Sequence, residues 1–229
     1  VAVDRNGMLA APLARKFVGI YAADTHLDFE LARRPEQPSL SEMTRKAIDL
    51  LAHDPDGFFL MVEGGKIDHA LHGSNAKNAL VDAVAMDDAV QAAVDKMRAI
   101  DPGLKNTLIV VTADHDHTLT FNGYAKRGNP ILDIVRSYHD GQPARDADGK
   151  TYTTLVFGNG PNRKGERVDV TSEEVLKDDY HQETGVRLSG ETHGGGDVKL
   201  FATGAGSHVF KGTMENTRVF HLMKAAFGL

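Results

Sequence analysis

The sequence predicts an α/β fold, a three-layer sandwich in which helices cover both faces of a largely parallel central sheet. Three observations carry this expectation. Apolar, β-branched runs alternate with helical patterns along the chain. The run at 107–111, Thr-Leu-Ile-Val-Val, has no polar alternation, as expected of a strand covered on both faces. Clusters of Asp, Glu and His recur where such runs end, and open α/β sheets gather their ligand sites at the carboxyl ends of strands.

Taken in order, residues 16–22 read as a short strand, and a proline-marked polar segment follows at 33–38. Ser39 stands three residues before Glu42, the spacing of a capping box, ahead of Met43, Ala47, Ile48, Leu50 and Leu51 at helical period. Asp54-Pro55-Asp56-Gly57 ends that helix and turns into a buried apolar strand at 58–62. A long helix is expected from about 75 to 100, where Ala76, Leu80, Ala83, Val84, Val90, Val94 and Met97 keep a 3.6-residue period until Pro102-Gly103 closes it. Residues 153–157 and 198–202 are further strand candidates, and a last helix runs from about 214 to 227. The polar, glycine-rich stretch at about 158–190 reads as a surface excursion of one domain portion covering 1–229.

With 229 residues, 41% hydrophobic and 25% charged, the chain can bury a substantial core. A net charge of −6 and the absence of any Lys/Arg cluster argue against a nucleic-acid partner. No stretch approaches the roughly 20 apolar residues that a transmembrane helix needs. There is no cysteine, which excludes disulfides and metal–thiolate sites. The opening residues contain neither an initiator Met nor a signal-peptide pattern, so the chain reads as a processed product or as one whose upstream part is missing.

The chemistry concentrates in three strings. Val62-Glu63-Gly64-Gly65-Lys66-Ile67-Asp68-His69-Ala70-Leu71-His72 packs carboxylates and imidazoles around two glycines; Thr112-Ala113-Asp114-His115-Asp116-His117 repeats the theme; Glu191-Thr192-His193-Gly194-Gly195-Gly196 adds a third. Asp68 and His72 are four apart, so on one helical turn they point the same way and can share a divalent cation. Adjacent Asp114 and His115 suit a tight turn, and the glycines after His193 let the backbone approach closely. Together these give five nitrogen and carboxylate ligands of the kind zinc prefers. Glu63, a carboxylate beside Gly64-Gly65, suits a harder ion such as Mg²⁺. Singly, each piece is commonplace: an Asp-x-x-x-His pair is more often surface decoration, Asp-His after a strand can be a helix cap, and a His among glycines is usually only a loop residue. Asp146-Ala147-Asp148-Gly149-Lys150 begins like a calcium loop but lacks the terminal Glu, so a hairpin turn is expected there.

The segments 58–72, 112–117 and 191–195 together resemble the alkaline phosphatase family, especially its animal-like forms with a Val-Glu-Gly-Gly-x-Ile-Asp-His signature. The resemblance continues through Phe121-Asn122-Gly123-Tyr124, Arg127-Gly128-Asn129 and Phe157-Gly158-Asn159-Gly160-Pro161, and it covers the chain from about Val18 onward. It implies an alkaline phosphatase-like sandwich that hydrolyses phosphate monoesters with two Zn²⁺ and one Mg²⁺. Asp68, His72 and His193 would hold one zinc, Asp114 and His115 the other, and Glu63 would help hold magnesium. His117 would support a zinc-bound carboxylate from outside the metal's own ligands, His69 would lie beside the site, and Asp116 would be a loop carboxylate. A homodimer and a periplasmic or extracellular location are implied on the same basis.

The sequence departs from the family in lacking everything the family places in its N-terminal half. The family's serine nucleophile lies in an Asp-Ser-Ala motif, and that tripeptide does not occur here. The phosphate-clamping Arg and the remaining magnesium ligands are missing too, and all of these belong to the family's N-terminal half. The chain therefore resembles a C-terminal half that needs the N-terminal half as partner and is inactive alone. Two rival readings stand beside this: a non-catalytic zinc-binding fragment or interaction subunit, and a phosphodiesterase or phosphomutase of the same superfamily.

Overall fold

The computed structural model describes residues 1–14 and 16–229. Its helices are α1 (Arg5–Ala10), α2 (Leu40–Leu51), α3 (Lys66–His72), α4 (Ala76–Ile100), α5 (Ser172–Val175) and α6 (Asn216–Ala226). Its strands are β1 (Leu108–Thr112), β2 (Asp116–His117), β3 (Leu119–Phe121), β4 (Leu155–Gly160), β5 (Thr184–Arg187), β6 (His193–Gly194) and β7 (Leu200–Gly204).

The local signals explain the helices. Ser39 Oγ accepts from the Glu42 N–H while the Glu42 carboxylate accepts from the Ser39 N–H, so both halves of the capping box form at the start of α2. Asn75 caps α4 by accepting from Asn78 N–H, and that 25-residue helix ends just before Gly103, whose φ of +86° only glycine adopts freely. At about 1.5 Å per residue α4 spans roughly 37 Å, long enough to touch both cores of the molecule. Ile48, Met97 and Leu104 form the first core, between α2 and α4, with Phe58, Leu60 and Ile109 packed against it. Ala76, Leu155 and Phe157 form the second, joined by Leu71, Leu80, Leu119 and Leu132.

The sheet is where expectation and structure part. Strands and helices are mixed, as an α/β reading requires, but the ladders are small: β1 with β7, β2 with β6, and β3-β4-β5. Of these pairings only β4–β5 is parallel. The large, mainly parallel sheet is not formed among the described residues, because two of its expected strands find no ladder. Residues 16–22 make a single parallel bridge, Gly19 to Ala2, and residues 58–62 belong to no strand or bridge. The latter run nonetheless alternates in burial. Phe58 and Leu60 pack on the α2–α4 core, whereas Phe59 and Met61 stand 66% and 68% exposed. Phe201 of β7 is also bare, at 67%. The strand at 107–111, expected to be covered on both faces, is likewise only half-buried as β1.

Residues 158–190 carry the end of β4, then α5, then β5, with Val175, Gln182 and Thr184 buried. The Asp146 turn is a hairpin: Arg145 bridges Thr151, and the Asp146 carboxylate accepts from the Asp148 and Lys150 N–H groups. Arg167 pairs with the same carboxylate, whose oxygens thus serve the turn and its neighbouring segment.

Candidate metal centre

Two local structures deliver the site. The first is α3. A Cβ on Gly64 would sit 3.1 Å from Ile67 Cδ1 and 3.4 Å from Met86 Cβ, so glycine there lets the chain enter α3 close against α4. Asp68 then falls in the first turn and His72 ends the helix, on one face, with His72 Nε2 3.3 Å from Asp68 Oδ1.

The second is the short antiparallel pair β2–β6, which sets Asp116 opposite Gly194 and His117 opposite His193. A Cβ on Gly194 would lie 2.7 Å from both Asp116 Oδ2 and the His117 carbonyl oxygen, and one on Gly196 2.5 Å from Asp116 Oδ2. Asp116 Oδ2 instead accepts from the Gly196 N–H at 3.2 Å. Gly194 is thus a steric requirement of the pairing, and Asp116 fastens the loop that carries His193.

These elements converge on one oxygen. Asp68 Oδ1 lies 3.0 Å from His117 Nε2, 3.3 Å from His72 Nε2, 3.4 Å from His193 Nε2 and 3.8 Å from His115 Nε2. The His115 and His193 rings stack with centroids 3.5 Å apart. Two sets of candidate ligand atoms each fall within 4.8 Å of one another: Asp68, His115, His117 and His193, and His72, His117 and Glu191. The centre is open on the His193 side, where that ring is about half exposed, and closed behind His117, which is 8% exposed.

Of the residues expected from the sequence, Asp68, His72, His115 and His193 therefore meet, with His117 among them. Asp114 joins only through its neighbour, its Oδ2 3.3 Å from His115 Nε2, and its side chain is 87% exposed. Glu63 is exposed and shares in neither set, its Oε1 lying beside Gly65 instead. His69 faces away, edge-on to His26 at 4.3 Å. Burial, then the charges of His26 and Lys66, pushes its imidazole below the ordinary histidine range. One member went unassigned in the sequence: Glu191, with a side chain fully buried behind His117. A lone Glu in a glycine-rich loop carries no periodicity or spacing that marks it.

The alkaline phosphatase family model matches residues 3–229. The tissue-nonspecific alkaline phosphatase of Gallus gallus is 44% identical over 202 residues, covering 86% of this chain and 37% of that protein. The human protein of the same description is 42% identical over 204 residues, covering 87% and 37%. This chain thus spans well under half the length of these relatives. Among solved structures, a cold-active alkaline phosphatase from a Shewanella species superposes with a TM-score of 0.56 at 21% identity, over 92% of this chain and 55% of that one. A TAB5 alkaline phosphatase mutant, described with Mg bound in its M3 site, gives 0.52 at 24% identity, over 90% and 51%. At those identities the likeness is one of fold.

Proposed function

This chain belongs to the alkaline phosphatase family, and from that premise we propose that it supplies most of the zinc ligands of a phosphate-monoester hydrolase. The observation that carries the reading is the spacing around Asp68. Two donors bound to one tetrahedral zinc at about 2.0–2.1 Å must lie roughly 3.3 Å apart. Asp68 to His72, Asp68 to His193, and Asp114 to His115 measure 3.3, 3.4 and 3.3 Å. Those are three of the four pairs that would share an ion if Asp68, His72 and His193 held one zinc and Asp114 and His115 the other; the fourth, His72 with His193, has ring centroids 5.0 Å apart. His117 sits nearer, at 3.0 Å from Asp68, which is a hydrogen-bond distance and suits a ring that steadies the carboxylate. Glu63 would help hold magnesium, an ion that keeps several waters and tolerates a site this exposed.

Bound there, the two zinc ions would stabilise the attacking and leaving oxygens of an in-line phosphoryl displacement. The chain's own part is to hold neutral imidazoles and carboxylates in place. Neutral imidazole and ionised carboxylate are the ligating forms, so protons compete with the metal for these side chains. The serine nucleophile belongs to the N-terminal half in this reading, and the chain alone does not turn over substrate. The bare apolar side chains of Phe59 and Met61, and of Phe201 on β7, are surface that such a half would cover in this reading. A homodimer and an extracytoplasmic location belong to the same proposal. Among the described residues no helix is long and apolar enough to cross a membrane.

The test is an assay of the complete polypeptide on a monoester and a diester with zinc and magnesium, with His193→Ala beside it. Monoester turnover should dominate. His193→Ala should lower zinc content and reduce turnover by more than the roughly 10–100-fold that follows loss of an outer partner. Faster diester turnover would reassign the substrate class, and full activity with full zinc in the variant would remove His193 from the ligands. The absent Asp-Ser-Ala favours a second reading, a zinc binder without catalysis. Intact mass analysis separates the two: a companion chain carrying that motif supports the hydrolase, and an inactive, zinc-loaded species of 24.8 kDa alone supports the binder.

A further inference from the structure

We infer that Glu191 is a positioning residue of this centre, holding His117 against Asp68 with its side chain and His72 with its backbone; the inference rests on the metal-site reading above. The Glu191 carboxylate has no exposed surface, and it spends both oxygens within the site. Oε2 accepts from His117 Nδ1 at 2.7 Å, and Oε1 accepts from the Thr118 N–H and the Thr118 hydroxyl, each at 2.7 Å. With its Nδ1 side fixed, the His117 ring presents Nε2 to Asp68 Oδ1 at 3.0 Å. The main chain of Glu191 performs the parallel task for His72. Its N–H donates to the His72 carbonyl at 2.9 Å, and its own carbonyl accepts from His72 Nδ1 at 2.5 Å.

The chemistry of the partners selects the tautomers. A backbone carbonyl only accepts, so His72 carries its proton on Nδ1 and turns the Nε2 lone pair toward Asp68. The Glu191 carboxylate likewise can only accept from His117 Nδ1, and Asp68 Oδ1 can only accept from its Nε2, so His117 spans two carboxylates as a donor on both sides. One residue thereby sets the proton placement of two imidazoles from different segments and stands two positions before a third, His193. Removing an outer partner of this kind weakens metal affinity by about 10–100-fold. Thr118 completes the arrangement: without its two donors the carboxylate would be held by His117 alone.

Glu191→Gln tests this with little change of shape. The amide keeps one acceptor but places an N–H₂ where a second is needed, facing either Thr118 or His117 Nδ1. In this chain, zinc affinity measured against a competing chelator should fall about 10-fold. The ¹⁵N resonances of the His117 ring in the metal-free protein should report loss of the Nδ1–H form, a change that a merely structural role would not produce. Combining Glu191→Gln with His117→Ala should weaken zinc binding no further than His117→Ala alone. Should Glu191→Gln not fold, Thr118→Val loosens the same carboxylate and should produce the same losses in smaller measure. Unchanged affinity and unchanged ring resonances in a folded variant overturn the assignment, and so do additive losses in the double variant. A wild-type chain that binds no zinc counts against the metal reading instead, and the metal-free ring spectrum still decides the role of Glu191.

Discussion

β4 and the run at 58–62 are both apolar, and they meet opposite fates. β4 has β3 on one side and β5 on the other, and its Leu155 and Phe157 are each 1% exposed. The run at 58–62 packs one set of side chains on α2 and α4, leaves the other set in solvent, and hydrogen-bonds into no ladder. An apolar run thus decides neither burial nor pairing by itself; both depend on which neighbours are at hand. The contrast can be broken by truncation. Phe157→Ala should cost about 3–5 kcal/mol of stability in this chain, and Phe59→Ala should stay within about 0.5 kcal/mol, both read by urea unfolding. Comparable losses at the two positions would mean that 58–62 is already packed on both faces. If the N-terminal half covers this face, Phe59→Ala becomes costly only in the complete protein.

Two glycines sharpen the same contrast at the backbone. Gly160, ending β4, has φ of +142°, and a Cβ there would lie 2.7 Å from Ser74 Oγ and 2.9 Å from Thr184 Cγ2. Gly57, just ahead of the unpaired run, has φ of +85° and nothing within 4 Å. Gly160→Ala combines backbone strain with overpacking and should destabilise by about 2–3 kcal/mol. Gly57→Ala should show the backbone part alone, about 1 kcal/mol. Equal effects on the thermal midpoint would show that the space around β4 is looser than its burial indicates.

The same physics sets what could be read from the sequence. Helices α2 and α4 were legible because their signals are local: Ser39 and Glu42 three apart, Asn75 before a long 3.6-residue period, Gly103 after it. The convergence of Asp68, His72, His115 and His193 was legible because their spacing and the family signature travel together. The strand at 58–62 was legible as apolar but not as unpaired, since no local pattern encodes the presence of a neighbour. Glu191 was missed for the converse reason: its contacts reach 73 and 74 positions back, to Thr118 and His117, and its flanking residues announce none of it.

The smallest effect follows from how the unpaired run is supported. Phe58 and Leu60 rest on the core that α2 builds with Ile48, and α2 is fastened at its start by Glu42, which accepts from both Arg5 and the Ser39 N–H. Hydrogen bonding from Arg5, followed by that from the Ser39 N–H, holds the Glu42 carboxyl below the usual glutamate range despite its partial burial. A folded-state value below the unfolded one of about 4.3 means that Glu42 contributes stability above that pH. The contribution fades as pH falls from there through the depressed folded value, where the carboxylate takes up a proton. The core contacts of β4, Leu155 and Phe157 against other apolar side chains, include no titratable group. Hydrogen exchange between about pH 5 and pH 3 should therefore show α2 losing protection before β4. Glu42→Gln should abolish that pH dependence, leaving α2 less protected throughout the range, and lower stability at pH 7 by about 1 kcal/mol, the usual worth of a helix N-cap interaction. Simultaneous loss of protection would mean that α2 and β4 open as one unit, and that the support beneath 58–62 is no weaker than the core it was contrasted with.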